Sequence, residues 1–275
     1  MTTVVASITA YTMNRPIGIF DSGIGGLTVA RAIKDLLPKE AIVYFGDTAH
    51  LPYGDKDAAT IRSYALRICD LLLQRHCKVI LIACNSASAA AYDSVCMHVG
   101  KRAAVLNVID PMVDHIGSQF KNQPIGLIGT QQTVQSGVYE RKLSALHLGI
   151  QLKALPTPLL VPMIEAGFTQ SISQEIIYHY LQSPVLQQIQ ALILGCTHYP
   201  VIKPQIQAFY QQQLAVIDAT TITATYLRNF LARHQLLSAS RHAEDHFMVS
   251  ALTADFEKAT RIFFGQQVHL KQLSA

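Results

Sequence analysis

Two segments of the chain carry a thiol at the end of an apolar run: Val79-Ile-Leu-Ile-Ala-Cys84-Asn85-Ser86 and Ala191-Leu-Ile-Leu-Gly-Cys196-Thr197-His198. A short continuous apolar run reads as a strand buried on both faces, and the small polar residues after it read as the start of a helix. Both thiols then stand at the carboxyl ends of strands, where open α/β sheets bind their ligands. Unpaired N–H groups at a helix start favour a carboxylate and a thiolate alike, so a small carboxylic acid is the natural guest. A thiol of ordinary pKa, about 8.5, is only slightly ionised at pH 7, and ionising it costs roughly 2 kcal/mol. That cost is small beside removing a proton from carbon, which needs an oriented base, a dry site and a stabilised carbanion. Two such thiols could address one small acid from opposite faces, as inversion of a stereocentre requires.

Asp21-Ser22 closes the first strand candidate and forms a third polar strand end. Asp21 and His198 are the polar candidates for assisting proton movement at Cys84 and Cys196 respectively. A carboxylate beside a thiol raises the thiol pKa, so Asp21 suits a proton relay or a partner for a substrate ammonium. Each residue also has an ordinary reading when taken alone. A cysteine ending a buried strand is commonly an inert small hydrophobe, His198 a hydrogen-bonded structural histidine, and Glu165 in Val161-Pro-Met-Ile-Glu165-Ala-Gly167 a solvated helix residue. Cys69, Cys77 and Cys96 lie on helical or apolar stretches without a polar cluster and read as inert.

Two rival chemistries are weaker. The turn Asp21-Ser-Gly23-Ile-Gly25-Gly26 follows a strand and opens a helix, as a dinucleotide fingerprint does. Thr28 stands where its third glycine belongs, however, and no Lys-Ser/Thr pair makes it a phosphate loop. Cys196-x-His198 is one spacing short of a zinc motif, so no metal ligand and no cofactor is assigned.

Strand-like runs alternate with helix-period segments from Ile17 onward. Strands are expected at 16–20, 41–45, 79–83, 105–109, 125–129, 151–155, 191–195, 214–218, 247–250 and 268–271. Leu27, Ala30, Ile33 and Leu37 mark one helical face ending at Pro38. The alternation implies an α/β protein with parallel sheets sandwiched by helices. Pro16-Ile-Gly-Ile recurs as Pro124-Ile-Gly-Leu, 108 residues on, and the two cysteines are 112 residues apart. Duplicated halves follow: two similar doubly wound parallel-sheet domains related by pseudo-twofold symmetry, with the active site in the cleft between them. The expected division is an N-terminal extension over 1–15, a first domain of 16–110 plus 218–275, and a second of 111–217.

At 275 residues, with 50% hydrophobic and 15% charged residues, the chain is long enough for two cores and carries no biased tract. Its 22 Lys+Arg against 18 Asp+Glu give +4, with the basic residues scattered, so nucleic acid is not implied. The mildly apolar stretch 4–11 is interrupted by Ser7 and Thr9, follows no positive segment and is too short to span a bilayer. Five cysteines without a Cys-x-x-Cys pair fit a reducing cytoplasm.

The chain resembles the cofactor-independent glutamate racemases, within the broader aspartate/glutamate racemase group. The matching blocks are Phe20-Asp-Ser-Gly-Ile-Gly-Gly-Leu-Thr28, Gly46-Asp-Thr-Ala-His-Leu-Pro-Tyr-Gly54, Ile82-Ala-Cys-Asn-Ser-Ala-Ser88, Ile128-Gly-Thr130 with Ser136-Gly137, Val161-Pro-Met-Ile-Glu165, and Gly195-Cys-Thr-His-Tyr-Pro200. The resemblance implies Cys84 and Cys196 as the two acid/base residues and Asp21, Glu165 and His198 as assisting groups. It implies Asp21, Ser22, Tyr53, Gly54, Asn85, Ser86, Thr197 and His198 as substrate-binding positions. It also implies a cytoplasmic, cofactor-free enzyme that interconverts L- and D-glutamate and supplies D-glutamate for peptidoglycan; a homodimer is expected. An aspartate racemase, and a non-catalytic or regulatory protein with a protein partner, are the alternatives. The sequence departs from the family's habit at Ser86, usually threonine, at Asp218-Ala219-Thr220 and at Asp110-Pro-Met.

Overall fold

The structure is a computed structural model that describes residues 13–167 and 170–273. The expected N-terminal extension therefore lies outside the described residues as far as position 12.

The first half runs β1 (Ile17–Asp21), α1 (Leu27–Leu36), β2 (Ile42–Gly46), α2 (Ala58–Gln74), β3 (Val79–Ile82), α3 (Asn85–Val99), β4 (Ala104–Asn107) and α4 (Ile109–Gln119). The second runs β5 (Pro124–Gly129), α5 (Gln131–Gln135), α6 (Val138–Ser144), β6 (Gln151–Pro156), α7 (Leu160–Glu165), α8 (Gln170–Leu181), β7 (Ala191–Gly195), α9 (Lys203–Phe209), β8 (Ala215–Asp218) and α10 (Ala219–Arg233). The chain closes with β9 (His246–Val249), α11 (Ala254–Phe264) and β10 (Leu270–Gln272). Every strand falls on one of the expected runs, because a central parallel strand must be apolar on both faces: β1, β2, β3 and β7 are buried at every residue.

All pairings are parallel. One sheet has the order β10-β9-β2-β1-β3-β4 and the other β6-β5-β7-β8. Within each half, the second strand, first strand, third strand and fourth strand lie in the same sequence, so the weak repeat in the sequence is a repeat of topology. After β8 the chain returns to the first sheet: α10 packs against α1 and α4, β9 pairs with β2, and β10 pairs with β9.

Local chemistry fixes the ends of these elements. Leu37, before Pro38, leaves the helical region at φ −128°, as the proline ring demands. Asp57 caps α2 by accepting from the N–H groups of Ala59 and Thr60, both at 2.9 Å. Asp218 caps α10 through the N–H of Thr220.

At the sheet end remote from the cysteines, Lys78 is buried and its Nζ donates to Glu40 Oε2 (2.6 Å), to the carbonyls of Met13 (2.6 Å) and Leu236 (2.8 Å), and to Ser238 Oγ. Glu40 Oε1 accepts from the Ser238 N–H, so the pair ties the entrances of β2 and β3 to the segment after α10. Burial lowers the Lys78 pKa and the Glu40 carboxylate opposes that pull. Removing one partner leaves the other charged and uncompensated, so Lys78→Met should lose about 3 kcal/mol or more in urea unfolding. An unchanged midpoint would show that the pair contributes nothing net.

Candidate active site

Cys84 is the N-cap of α3, and its Sγ accepts from the Ala87 N–H at 3.4 Å. Small residues after it, Asn85-Ser-Ala-Ser-Ala-Ala, let this helix start lie close behind β3, leaving N–H groups and the positive end of the helix directed at the thiol. Ser22 Oγ lies 3.6 Å from Cys84 Sγ. Burial first, and then the Asp21 charge, push the Cys84 thiol up to about 12.

Cys196 departs from the sequence expectation. It is followed by a turn and a short 3-10 helix, Tyr199–Ile202, before α9, and no α-helix begins at the cysteine. Pro200 and Pro204 sit at the first turns of these two segments and supply no N–H, which breaks the helix start into pieces. In place of a helix end, the Cys196 thiol has a side-chain partner: His198 Nδ1 at 3.8 Å, with His198 Nε2 held by Glu165 Oε1 at 2.9 Å. Burial alone would lower the His198 pKa; the hydrogen bonds and charges of Cys196 and Glu165 outweigh it and hold the ring up at about 10.

Asp21 ends β1 wholly buried. Its Oδ2 accepts from the N–H groups of Gly23 and Gly26 (3.2 and 3.0 Å), and its Oδ1 from Thr197 Oγ1 of the other half (3.3 Å). Burial raises its pKa, while His198, the two N–H groups and Thr197 pull it down. The glycines of this turn are packing requirements. A Cβ on Gly25 would lie 2.4 Å from His198 Nδ1 and 2.7 Å from Thr197 Oγ1, and one on Gly26 would lie 2.5 Å from Asp21 Cβ. The turn that resembles a dinucleotide loop is thus filled by the second cysteine's own neighbours.

Both thiols line one cavity, Cys84 from the first sheet and Cys196 from the second. Ser22, Tyr53, Gly54, Asn85, Ser86, Thr197 and His198 share its wall, so the sequence-selected residues converge. Asp21 and Glu165 stand outside that wall, Asp21 bonded to Thr197 and Glu165 to His198. The Tyr53 hydroxyl donates to Asp47 Oδ2 at 2.6 Å; Asp47 also holds His50 Nδ1 (2.8 Å) and accepts from Ser250 Oγ (2.8 Å) of the return segment after β9.

Sequence reasoning missed four contributors. Thr130 and Thr157 line the cavity at the ends of β5 and β6, and Asp47 and Tyr139 support its wall. Thr130 bonds Ser86 Oγ at 2.8 Å, and Thr157 bonds the Tyr199 hydroxyl at 2.7 Å. A signal for Thr130 was present: the repeat offset of 108 carries Ser22 onto it. Among the described residues, no group of three or more His, Cys, Asp or Glu is placed to hold a metal ion. All five cysteines are free; burial pushes the thiols of Cys69 and Cys77 up to about 12.

Two parallel-sheet lobes that each end a strand in a buried thiol, with both thiols on one cavity, define a protein built to move protons at a small guest. The family model Asp/Glu/Hydantoin racemase matches residues 25–227, and the chain belongs to that family. It is 40% identical over 254 residues to the glutamate racemase of Chlorobium phaeobacteroides, covering 92% of this chain and 93% of that protein. The glutamate racemase of Francisella tularensis solved with D-glutamate superposes with a TM-score of 0.88 at 35% identity, over 95% of this chain and 98% of that one. That of Thermus thermophilus, solved with beta-chloro-D-alanine, gives 0.84 at 35% identity over the same shares.

Because folding raises the His198 pKa from 6.5 to about 10, the charged ring stabilises the folded chain. That contribution is fully present below about pH 6.5 and is lost as the pH rises through about 10. Glu165→Gln removes one of the groups that hold the proton, so the alkaline loss should begin at lower pH in thermal melts. Superimposable pH profiles would show that Glu165 does not support the ring charge.

Proposed function

We infer that this protein is a glutamate racemase in which Cys84 and Cys196 are the two bases. The observation that carries the reading is the pair of thiols on one cavity, each delivered by the third strand of one half. Relatives named glutamate racemase match nearly the whole chain. The start of α3, with Asn85 and Ser86, offers N–H and side-chain donors to a substrate carboxylate. One thiolate takes the Cα proton while the opposite thiol delivers its own proton to the other face; the first cysteine ends as the thiol and the second as the thiolate, ready for the reverse direction. His198, charged and buried beside Cys196, stabilises that thiolate. Asp21 holds Thr197 in the wall and keeps Cys84 in the thiol form, fit to act as the acid. No cofactor enters this scheme.

Several wider statements belong to the same proposal. The folding units are residues 16–110 with 218–275, and 111–217. The product D-glutamate serves peptidoglycan synthesis in the cytoplasm, and the working form is a homodimer. Among the described residues no helix is long and apolar enough to cross a membrane.

Racemisation in D₂O, followed by optical rotation and α-deuterium, tests the reading with L-glutamate, D-glutamate and aspartate. The wild type should place deuterium in the product enantiomer of glutamate. Cys84→Ser and Cys196→Ser should each lose about 10²- to 10⁴-fold in rate, the usual weight of a general acid or base. A serine variant that racemises at the wild-type rate removes the two-base assignment, and a faster rate on aspartate moves the protein to the sister activity.

A further inference from the structure

Asn85 is the first residue of α3, and its side chain lies in the cavity wall with only 3% of the residue exposed. A carboxamide has one accepting edge and one donating edge, and a half-turn about its last bond exchanges them. Only the donating edge favours an anion, so a cavity that binds a carboxylate needs something to fix the turn.

We propose that Tyr139 is a positioning residue that locks the Asn85 carboxamide with its NH₂ edge toward the cavity, making that amide a donor for one carboxylate of the substrate. The inference rests on the racemase reading. Tyr139 belongs to α6 of the second half, is fully buried, and its hydroxyl donates to Asn85 Oδ1 at 2.8 Å. Burial, reinforced by the Asp110 charge, raises its pKa well above the usual phenol value, so it is a hydroxyl at any working pH. With Oδ1 engaged, Nδ2 is the atom left for a ligand, and among the described residues it has no protein partner.

The bond also crosses between the halves. A second tie sits on the same helix, where Lys142 pairs with Asp110 of α4 at 2.7 Å, and Asp110 is itself held by Asn107 Nδ2 at 2.8 Å. The α6 helix is thus anchored to the first half at two points, and the orientation of the anion-binding amide depends on the halves staying in that relation.

The test compares wild type, Tyr139→Phe, Asn85→Ala and the double variant by steady-state kinetics in both directions, with calorimetric Kd for D-glutamate and thermal midpoints. A carboxylate contact made equally in ground and transition states should appear in KM and not in kcat. Tyr139→Phe should therefore raise KM and Kd about 3- to 10-fold, the worth of one hydrogen bond, in both directions, with kcat within about twofold. The double variant should bind no more weakly than Asn85→Ala, because Tyr139 acts only through Asn85. A merely structural tyrosine would lower the thermal midpoint and leave KM unchanged, or add to the Asn85→Ala loss, and either result overturns the proposal. Should Tyr139→Phe fail to fold, Asn85→Asp decides: it still accepts from Tyr139 but offers no donor, so KM must rise at least as far as in Asn85→Ala, and a near-normal KM overturns the proposal. A wild-type chain that neither racemises nor binds glutamate overturns the racemase reading and this inference with it; with wild type active, failure falls on Tyr139 alone.

Discussion

The site depends on one buried carboxylate. Asp21 has left water entirely, a costly transfer offset by two backbone N–H groups from its own turn and by Thr197 from the other half. That requirement forces the turn to be glycine-rich, since Gly25 and Gly26 have no room for a Cβ against His198, Thr197 and Asp21 itself. It also brings the second cysteine's loop onto the first half, where Thr28 Oγ1 donates to the Thr197 carbonyl at 3.1 Å. The same charge then faces Cys84 and His198, raising the first thiol's pKa and counterbalancing the second side's cation.

The two thiols are therefore equivalent in topology and unequal in electrostatics. At a pKa of about 12, ionising Cys84 at pH 7 would take about 7 kcal/mol, so in the empty cavity it is a thiol. Cys196 faces an imidazole that its own neighbours keep protonated. The cavity thus presents a thiol on one side and, on the other, a sulfur with an imidazolium nitrogen 3.8 Å away. In the two-base scheme proposed above, surroundings so unlike need not give the two directions one rate, while the overall equilibrium between mirror-image amino acids stays even.

Much of this was legible from the residues. Strands buried on both faces leave a signature that solvent cannot blur, which is why β1, β3, β5 and β7 stand out as apolar runs, with Cys84 two residues beyond the end of β3 and Cys196 directly after β7. The convergence of Cys84, Cys196, Ser22, Asn85 and Thr197 follows from repeated topology and could be foreseen. The break after Cys196 was hidden because helix periodicity in Ile202, Ile206 and Phe209 masks the two prolines that split it. Tyr139 was invisible for another reason: it acts on a residue in the opposite half, and no local pattern records such a pairing; Asp47 lay inside a matching block, but its tie to Ser250 spans 203 residues and leaves no local trace. Thr157 carries no chemistry by type and matters only because the end of β6 lies beside the end of β5.

The return of the chain to its first sheet breaks the symmetry of the halves where it matters for the cavity. After the second strand of the first half comes Asp47, whose carboxylate holds Tyr53, His50 and, through Ser250, the loop beyond β9. The matching position in the second half is Thr157, a single hydroxyl bonded to Tyr199 and to the Gly129 carbonyl. Only the first sheet has β9 and β10 added to its edge, so only there is a second loop available to anchor the cavity wall. His50 stacks on Tyr64 with ring centroids 4.1 Å apart, and Tyr53 lies 5.8 Å from the same ring, so the wall carrying Tyr53 and Gly54 is fastened by a charge and by aromatic packing together. Across the cavity the ring of His198 is held differently, by the Glu165 carboxylate and against Phe263 of α11 in the segment that returns to the first sheet.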